Sequence, residues 1–327
     1  SDHADLAAAA ATSAASEGLD VARVLFGPEA RPGATAYEVL LDSQGDEDPV
    51  AEAEPDLSTP HIVMYTSGTT GRPKGAVLSQ GASFWNALNL QLALDLTSSD
   101  RDLLLLPLFH VGGIGLFTLP MLYVGGTVVL QRAFDAAEAL RLCEEESISL
   151  LFGVPAIFLA LAEEAGFGPA AFEGLRVVMS GGAPLPPPLV ERYSREADTL
   201  LQQGFGMTEA APSIATLGKD VARQKAGSVG RALPHVDARI VDERMRELDP
   251  GQVGELVVRG PNVMLGYWNR PEDTEEAFAG GFFHTGDLAR FDEDGDIWIV
   301  DRKKDMFISG GENVYPAEVE SLIQELP

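Results

Sequence analysis

Cysteine and positive charge are what this sequence has least of. Cys143 is the one cysteine among 327 residues, which excludes an intramolecular disulfide framework and any metal site built from several thiolates. Its setting, Arg141-Leu142-Cys143, is that of a core residue. Lys and Arg number 23 against 50 Asp and Glu, a formal charge of −27. Such a surface repels phosphate backbones and anionic lipid, which argues against a nonspecific nucleic-acid or membrane-surface binder. Any anionic ligand then needs a local, preorganised site. The start, Ser1-Asp2-His3-Ala4-Asp5, has neither a basic n-region nor an initiator methionine. No secretory leader is expected, and the expected location is cytoplasmic. From Leu103 to Leu130 no residue is formally charged, long enough to raise the question of a membrane span. Pro107, His110, Gly112-Gly113, Pro120 and Gly125-Gly126 break that run. It reads instead as a buried strand at Leu103–Leu106, a buried helix at Ile114–Tyr123 and a strand at Thr127–Leu130, a unit of a covered parallel sheet.

What is present is ordinary for a globular chain: 45% hydrophobic and 22% charged residues, enough for two or three compact units. A helix is expected at Ala4–Glu17, a strand at Val21–Phe26 and a loop over Ser43–Ser58. Ile62–Tyr65 reads as a short strand feeding a turn rich in Gly, Ser and Thr, followed by a helix at Ala82–Leu94. Ser147–Leu151 (strand), Ala156–Glu164 (helix), Arg176–Met179 (strand) and Leu185–Glu196 (helix) continue the alternation, which predicts a doubly wound α/β sheet. Near Leu233 the rhythm changes. Short strands at Ala238–Val241, Gly254–Arg259, Leu288–Phe291 and Ile297–Val300 are separated by turns such as Asp249-Pro250-Gly251, with one short helix at Glu272–Phe278. That pattern predicts a small β-barrel-like subdomain over 233–300. A helix is expected to begin at Pro316 and run to Leu326.

The segment YTSGTTGRPKG, residues 65–75, carries the clearest chemistry. Three glycines, four hydroxyl residues (Thr66, Ser67, Thr69, Thr70) and Lys74 stand together after a strand. Glycines such as Gly68 and Gly71 let backbone N–H groups approach an anion, hydroxyls donate to phosphate oxygens, and the lysine supplies charge. Pro73 stands where a mononucleotide P-loop needs its second glycine, so a P-loop kinase is disfavoured. Further on, Asp292-Glu293-Asp294-Gly295-Asp296 puts oxygens at positions 1, 3 and 5 as in a calcium loop. Its glycine is at 4 rather than 6, and Lys303 is at 12, so a hairpin turn is the better reading.

The eleven-residue string resembles the phosphate loop of the adenylate-forming (AMP-binding) superfamily of acyl-CoA synthetases, peptide-synthetase adenylation domains and beetle luciferases. SGGAPL (180–185), QGFGMTE (203–209), GELVVRGPNVMLGYW (254–268), HTGDLARFDEDGDIWIVDRKKD (284–305) and SGGENVYPAEVE (309–320) resemble that family's later motifs in order. The resemblance spans 65–320 and leans to the acyl-CoA ligase branch. Peptide-synthetase domains carry an Asp for the substrate's amino group just after the position of Phe109, where this chain has His110-Val111.

The resemblance implies roles residue by residue. Thr66, Ser67, Gly68, Thr69, Thr70, Gly71 and Lys74 would hold the phosphates of ATP. Gly182, Ala183 and Pro184 would border adenine, and Gly204, Phe205, Gly206 and Met207 would line the same nucleotide, with Phe205 stacking. Thr208 would bond the α-phosphate, and Glu209 would ligate Mg²⁺, since an acid beside a triphosphate needs a hard cation between them. Asp287 would accept from the ribose diol, and Arg302 would reach ribose or phosphate. Lys74, His110, Thr208, Glu209 and Arg302 form the implied catalytic set. His110, Val111, Gly112, Gly113 and Gly204 would bound the acyl group, Lys304 would be a hinge, and Ser309, Gly310 and Gly311 would meet CoA.

The implied layout is a truncated α/β core at 1–232, a β subdomain at 233–300, a hinge at 301–304 and the beginning of a lid at 305–327. The family's lid lysine would lie beyond Pro327, so the chain is expected to be a fragment, inactive or weakly active alone. The expected parent reaction joins a small carboxylic acid to CoA through an acyl-adenylate. The apolar stretch 103–124 makes a medium- or long-chain fatty acid the first expectation. The alternatives are an aryl acid of the coumarate or benzoate type, or a non-catalytic binder of nucleotide or acyl-adenylate.

Overall fold

The computed structural model describes residues 11–16, 24–25, 34–43, 45, 54–66, 73–309, 312–314 and 316. Proximity divides the chain into 1–54 and 55–327. In the first unit, β1 (Val24–Leu25) pairs in parallel with β2 (Thr35–Ala36), and the helix Tyr37–Asp42 follows. Residues 11–16 are helical. The rest of the helix expected at Ala4–Glu17 and of the strand expected at Val21–Phe26 lies outside the described residues, as does most of the expected loop at Ser43–Ser58.

The second unit opens with an antiparallel pair, β3 (Pro60–Thr66) and β4 (Lys74–Ser79), in which Thr66 faces Lys74. The phosphate-loop segment therefore joins two antiparallel strands rather than a strand and a helix. Ser79 ends β4 and caps the next helix, its Oγ accepting the Ala82 N–H at 2.9 Å. That helix, Gln80–Leu94, stops where Asp95 adopts a left-handed conformation.

Seven strands form the large sheet. β5 (Arg101–Leu104), β6 (Thr127–Leu130), β7 (Leu150–Gly153), β8 (Val177–Ser180) and β9 (Leu201–Gly206) are parallel, in the order β9-β8-β7-β5-β6. β10 (Ser213–Thr216) and β11 (Arg231–Ala232) extend it antiparallel beyond β9. Both faces are covered, as parallel sheets require. On one face Leu103, Leu151 and Val178 pack with Leu140, Cys143, Phe158 and Tyr193 from helices Ala136–Glu145, Pro155–Ala162 and Pro187–Glu196. On the other, Leu150, Val177 and Met179 meet Leu90, Leu94, Leu116, Phe117 and Met121. Each such side chain, once buried, contributes ~1.5–3 kcal/mol of transfer free energy.

Several elements are displaced from their expected bounds, for local reasons. β5 runs from Arg101 to Leu104, starting just after Asp100, whose carboxylate pairs with Arg176 at 2.6 Å. β7 begins at Leu150 rather than Ser147, since Ser147 sits at φ 50°, which no strand accommodates. The buried helix between them starts earlier than Ile114, at Val111, and is π-helical over Ile114–Thr118. There Gly115 lies against Pro212, and a Cβ on Gly113 would be 2.1 Å from the Pro107 carbonyl oxygen. Strands β4, β9 and β10 are additions to the sequence reading.

Beyond β11 the strands are antiparallel. β12 (Asp237–Val241), β13 (Gly254–Arg259), β15 (Phe283–Phe291) and β16 (Ile297–Arg302) form one four-stranded sheet in that order. β15 starts five residues before the expected Leu288, because Gly286 at φ 73° carries the strand through Thr285-Gly286-Asp287. β14 (Gly266–Tyr267) leaves this sheet and pairs with β4, making the set β14-β4-β3. The helix Pro271–Ala277 follows. β17 (Phe307–Ser309) pairs with β18 (Glu312–Val314), and Pro316 is helical. Residues 317–326 of the expected last helix lie outside the described residues. Among the described residues, no helix is long and apolar enough to cross a membrane.

Candidate active site

The turn that leaves β9 is the centre of the site. Met207 N–H donates to the Pro212 carbonyl at 2.8 Å, closing a loop around a short 3-10 turn, Thr208–Ala210. No side chain caps that turn, so Thr208 does not serve as its cap. Two buried asparagines hold the loop. Asn262 Nδ2 donates to the carbonyls of Ala210 and Ser213, each at 2.9 Å. Asn86 accepts the Ser213 N–H at 3.1 Å and donates to the Gly115 carbonyl at 2.7 Å. Gly206 is obligatory, since a Cβ there would be 2.0 Å from the Pro212 oxygen. Phe205 and Met207 are half-buried against the core that includes Val111, Ala210 and Ala211.

Glu209 is buried at 7% exposure. Its Oε1 accepts the Tyr267 hydroxyl at 3.0 Å. Burial and the adjacent Glu209 charge raise the Tyr267 phenol above its usual range. Lys74 Nζ lies 5.2 Å from the centre of the Tyr267 ring and 2.5 Å from Asp273 Oδ1. The end of the phosphate-loop segment, the GMTE turn and β14 thus meet at one place, although Lys74 and Asp273 are 199 residues apart.

Asp287 on β15 and Arg302 on β16 face each other across the sheet, with Nε 3.5 Å from Oδ1. Burial pushes the Asp287 carboxyl up to about 6, with Arg302 opposing and the Glu209 and Glu255 charges adding to the rise. Thr285 fixes this bend, donating to the Leu256 carbonyl and accepting the Asp287 N–H. Beside it, burial alone would raise Glu255, yet Lys303 at 2.9 Å and His284 at 3.1 Å hold it below its usual range.

Gly182, Ala183 and Pro184 are exposed just past the C-terminal end of β8, with Gly182 at φ 79°. There a Cβ on Gly181 would come 3.0 Å from the Gly204 carbonyl, so backbone meets backbone at the ends of β8 and β9. Ser180 Oγ and Gln203 Oε1 are buried in these two strands without a hydrogen-bond partner among the described residues. Ligands of open α/β sheets bind at such strand ends. Orphaned donors and acceptors, a positive-φ glycine and a buried carboxylate together fit a nucleotide. Glu209, whose partner is a neutral phenol, fits a hard divalent cation.

A sequence profile of the family described as "AMP-binding enzyme" matches residues 3–268. The chain belongs to that family. It is 45% identical over 287 residues to a feruloyl-CoA synthase of Amycolatopsis sp, covering 88% of this chain and 58% of that protein. It is 43% identical over 309 residues to an indoleacetate–CoA ligase of Aromatoleum aromaticum, covering 94% and 60%. Among solved structures, ATP-bound MatB from Rhodopseudomonas palustris matches with a TM-score of 0.83 at 34% identity, over 90% of this chain and 58% of that one. o-Succinylbenzoate CoA synthetase from Bacillus subtilis, in complex with its acyl-adenylate intermediate, matches with a TM-score of 0.82 at 35% identity, over 90% and 59%. The chain thus spans somewhat more than half the length of these relatives.

Within this family member the remaining expected residues fall into two groups. His110 is exposed at the start of the helix, and its Nδ1 accepts the Gly112 N–H at 3.1 Å. Val111 and Gly113 are buried behind it. Lys304 is exposed in the turn after β16, where Asp305 N–H donates to the Arg302 carbonyl at 3.0 Å. Ser67, Gly68, Thr69, Thr70, Gly71, Gly310 and Gly311 lie outside the described residues, and Ser309 is placed as the last residue of β17. Tyr267, Asp273, Asn86 and Asn262 were missed by the sequence reading. Tyr267 and Asn262 lay inside a recognised motif, and Asp273 had no local signal.

The Asp292-Asp294-Asp296 turn is a closed arrangement. Its carboxylate oxygens lie within 4.8 Å of one another, and the Lys225 ammonium sits 2.6, 2.7 and 3.2 Å from the three. Backbone N–H groups of Asp294 and Asp296 donate to Asp292. A lysine supplies the cation here, as suits a hairpin turn.

Proposed function

We propose that the chain is the nucleotide- and acid-binding part of an AMP-forming ligase that joins an aryl acid to CoA. The convergence of Lys74, Tyr267, Glu209, Asp287 and Arg302 carries this reading: two fixed cations and two buried carboxylates converge where the ends of β8 and β9 expose backbone. Lys74 would meet the terminal phosphates, Asp287 the ribose hydroxyls, and Thr208 and Arg302 the α-phosphate side. Mg²⁺ held by Glu209 would neutralise phosphate charge. The chain's contribution is position and electrostatics rather than covalent chemistry. CoA would then receive the acyl group, with Ser309, Gly310 and Gly311 beside it and Lys304 as the pivot between steps.

Two observations favour an aryl over a fatty acid. The acids in the relatives' names, feruloyl, indoleacetate and 2-succinylbenzoate, are aromatic. The apolar stretch behind the fatty-acid expectation is used elsewhere: Leu103, Leu104, Leu105, Leu116, Phe117 and Met121 are buried in the core of the sheet. The deciding experiment is a thermal-shift panel on this chain with ATP·Mg and nonhydrolysable acyl-sulfamoyl adenosines carrying feruloyl, indoleacetyl, octanoyl and palmitoyl groups. A ligand at a hundred times its Kd stabilises by ~2.7 kcal/mol. A larger shift for the aromatic adenylates is expected. An equal or larger shift for palmitoyl would restore the fatty-acid reading, and no shift with any adenylate would refute the site.

A further inference from the structure

We infer that Asp273 is an ion-pair latch for Lys74, holding the ammonium in the ligand-free chain and yielding it to the polyphosphate of the nucleotide. The inference rests on the adenylate-site reading above. Asp273 is not a ligand for the nucleotide, because a carboxylate repels phosphate. It nevertheless stands 2.5 Å from the ammonium of Lys74, the lysine of the phosphate-loop segment, and neither side chain is more than a quarter exposed.

Its placement is built. Asp273 occupies the first turn of the helix Pro271–Ala277. That helix is tied to β14 by Thr274, whose hydroxyl accepts the Tyr267 N–H at 2.9 Å and donates to the Arg270 carbonyl at 2.8 Å. Gly266, at φ 149°, presses on the same threonine; a Cβ there would be 2.7 Å from Thr274 Cγ2. Trp268 N–H donates to the Gly75 carbonyl at 2.7 Å, one residue from Lys74. The carboxylate and the ammonium are therefore carried by two segments already bonded backbone to backbone, and Tyr267 lies beside the pair.

A latch has a definite energetic signature. A half-buried ammonium without its partner is costly, so removing Asp273 raises the free state while the bound state keeps the phosphates as counter-ions. Asp273→Asn should bind ATP·Mg roughly three- to tenfold more tightly than the unaltered chain. Adenosine, which has no phosphate, should bind both equally. Asp273→Glu should return ATP affinity toward the original value, and in a Lys74→Ala background the Asn substitution should tighten ATP binding clearly less, leaving only the lost repulsion between carboxylate and phosphate; equal tightening in both backgrounds overturns the latch. Asp273→Ala provides a second charge removal should Asp273→Asn lose its cooperative melt.

Titration calorimetry with ATP·Mg and with adenosine reads all of these. Unchanged or weaker ATP binding by Asp273→Asn overturns the latch. So does a parallel change for ATP and adenosine, which marks a merely structural role. If the unaltered chain binds neither ligand, the adenylate-site reading fails and the latch fails with it.

Discussion

Two clusters of acids in this molecule have opposite fates. At the hairpin 292–296 three aspartates surround Lys225, and Asp292 also accepts the backbone N–H groups of Asp294 and Asp296 and the Trp298 indole N–H. Burial would raise Asp292, but Lys225 and these hydrogen bonds hold it far below its usual range. In the cleft, Glu209 has only a phenol as hydrogen-bond partner among the described residues, and Asp287 is pushed up to about 6 with its guanidinium at 3.5 Å. The first cluster is electrostatically complete within the polypeptide. The second is held at a cost that the fold tolerates, which is the mark of a group kept for a ligand. Similar composition in sequence therefore says little; what differs is how far the chain's own cations and hydrogen bonds offset the burial of each carboxylate.

Breaking the cleft cluster should have the largest effect. Glu209→Gln should remove the Mg²⁺-dependent part of ATP binding in this chain and lower adenylate formation by the parent ligase roughly 10²–10³-fold. Calorimetry with and without Mg²⁺, and pyrophosphate release, check this; an unchanged Mg²⁺ dependence would remove Glu209 from the role.

A third acid sharpens the contrast. Asp102, within β5, is 1% exposed, and neither carboxylate oxygen has a hydrogen-bond partner among the described residues. Burial pushes it up to about 8. Its folded-state proton is thus held more tightly than in the unfolded chain. The stability it permits is complete below about pH 4 and lost as pH rises toward about 8. Asp102→Asn should flatten that slope and stabilise the fold by ~2–4 kcal/mol at pH 7, read by urea denaturation across pH 4–8.

A smaller effect concerns Asp287. Its ionised carboxylate accepts both hydroxyls of a ribose diol and does so more strongly than the neutral acid, so adenosine affinity should rise with pH through about 6 and level off above it. The slope is at most roughly tenfold per pH unit. Asp287→Asn should abolish that dependence in a calorimetric pH series. The smallest effect on the cleft should come from the hairpin: Lys225→Met should lower the melting temperature while leaving adenosine affinity as it was.

The parts legible in the sequence were those with local signals. Alternating apolar runs and turn residues located β5, β6, β7 and β8 and the helices Gln80–Leu94, Pro155–Ala162 and Pro187–Glu196 to within a few residues, and Glu209 and Asp287 stood out as acids within glycine-rich turns. β4 was hidden because Lys74 and Gly75 at its start read as loop. β9 was hidden because Gln202, Gln203 and Gly204 have low strand preference, and the neighbouring strands rather than propensity make it a strand. Tyr267 and Asp273 act across about two hundred residues, and no periodicity reports such a contact. The apolar stretch 103–124 misled the substrate reading for the converse reason. Hydrophobicity marks burial, and here the core of the sheet takes it.

The pairing of β14 with β4 makes the antiparallel set the least local part of the fold. The β3–β4 hairpin closes a short loop and needs no distant residue. Its third strand arrives from residues 266–267, across the large sheet and half of the antiparallel one in sequence. The meeting of Lys74 with Tyr267 thus closes a span of almost two hundred residues, the kind of contact that costs most in loop-closure entropy.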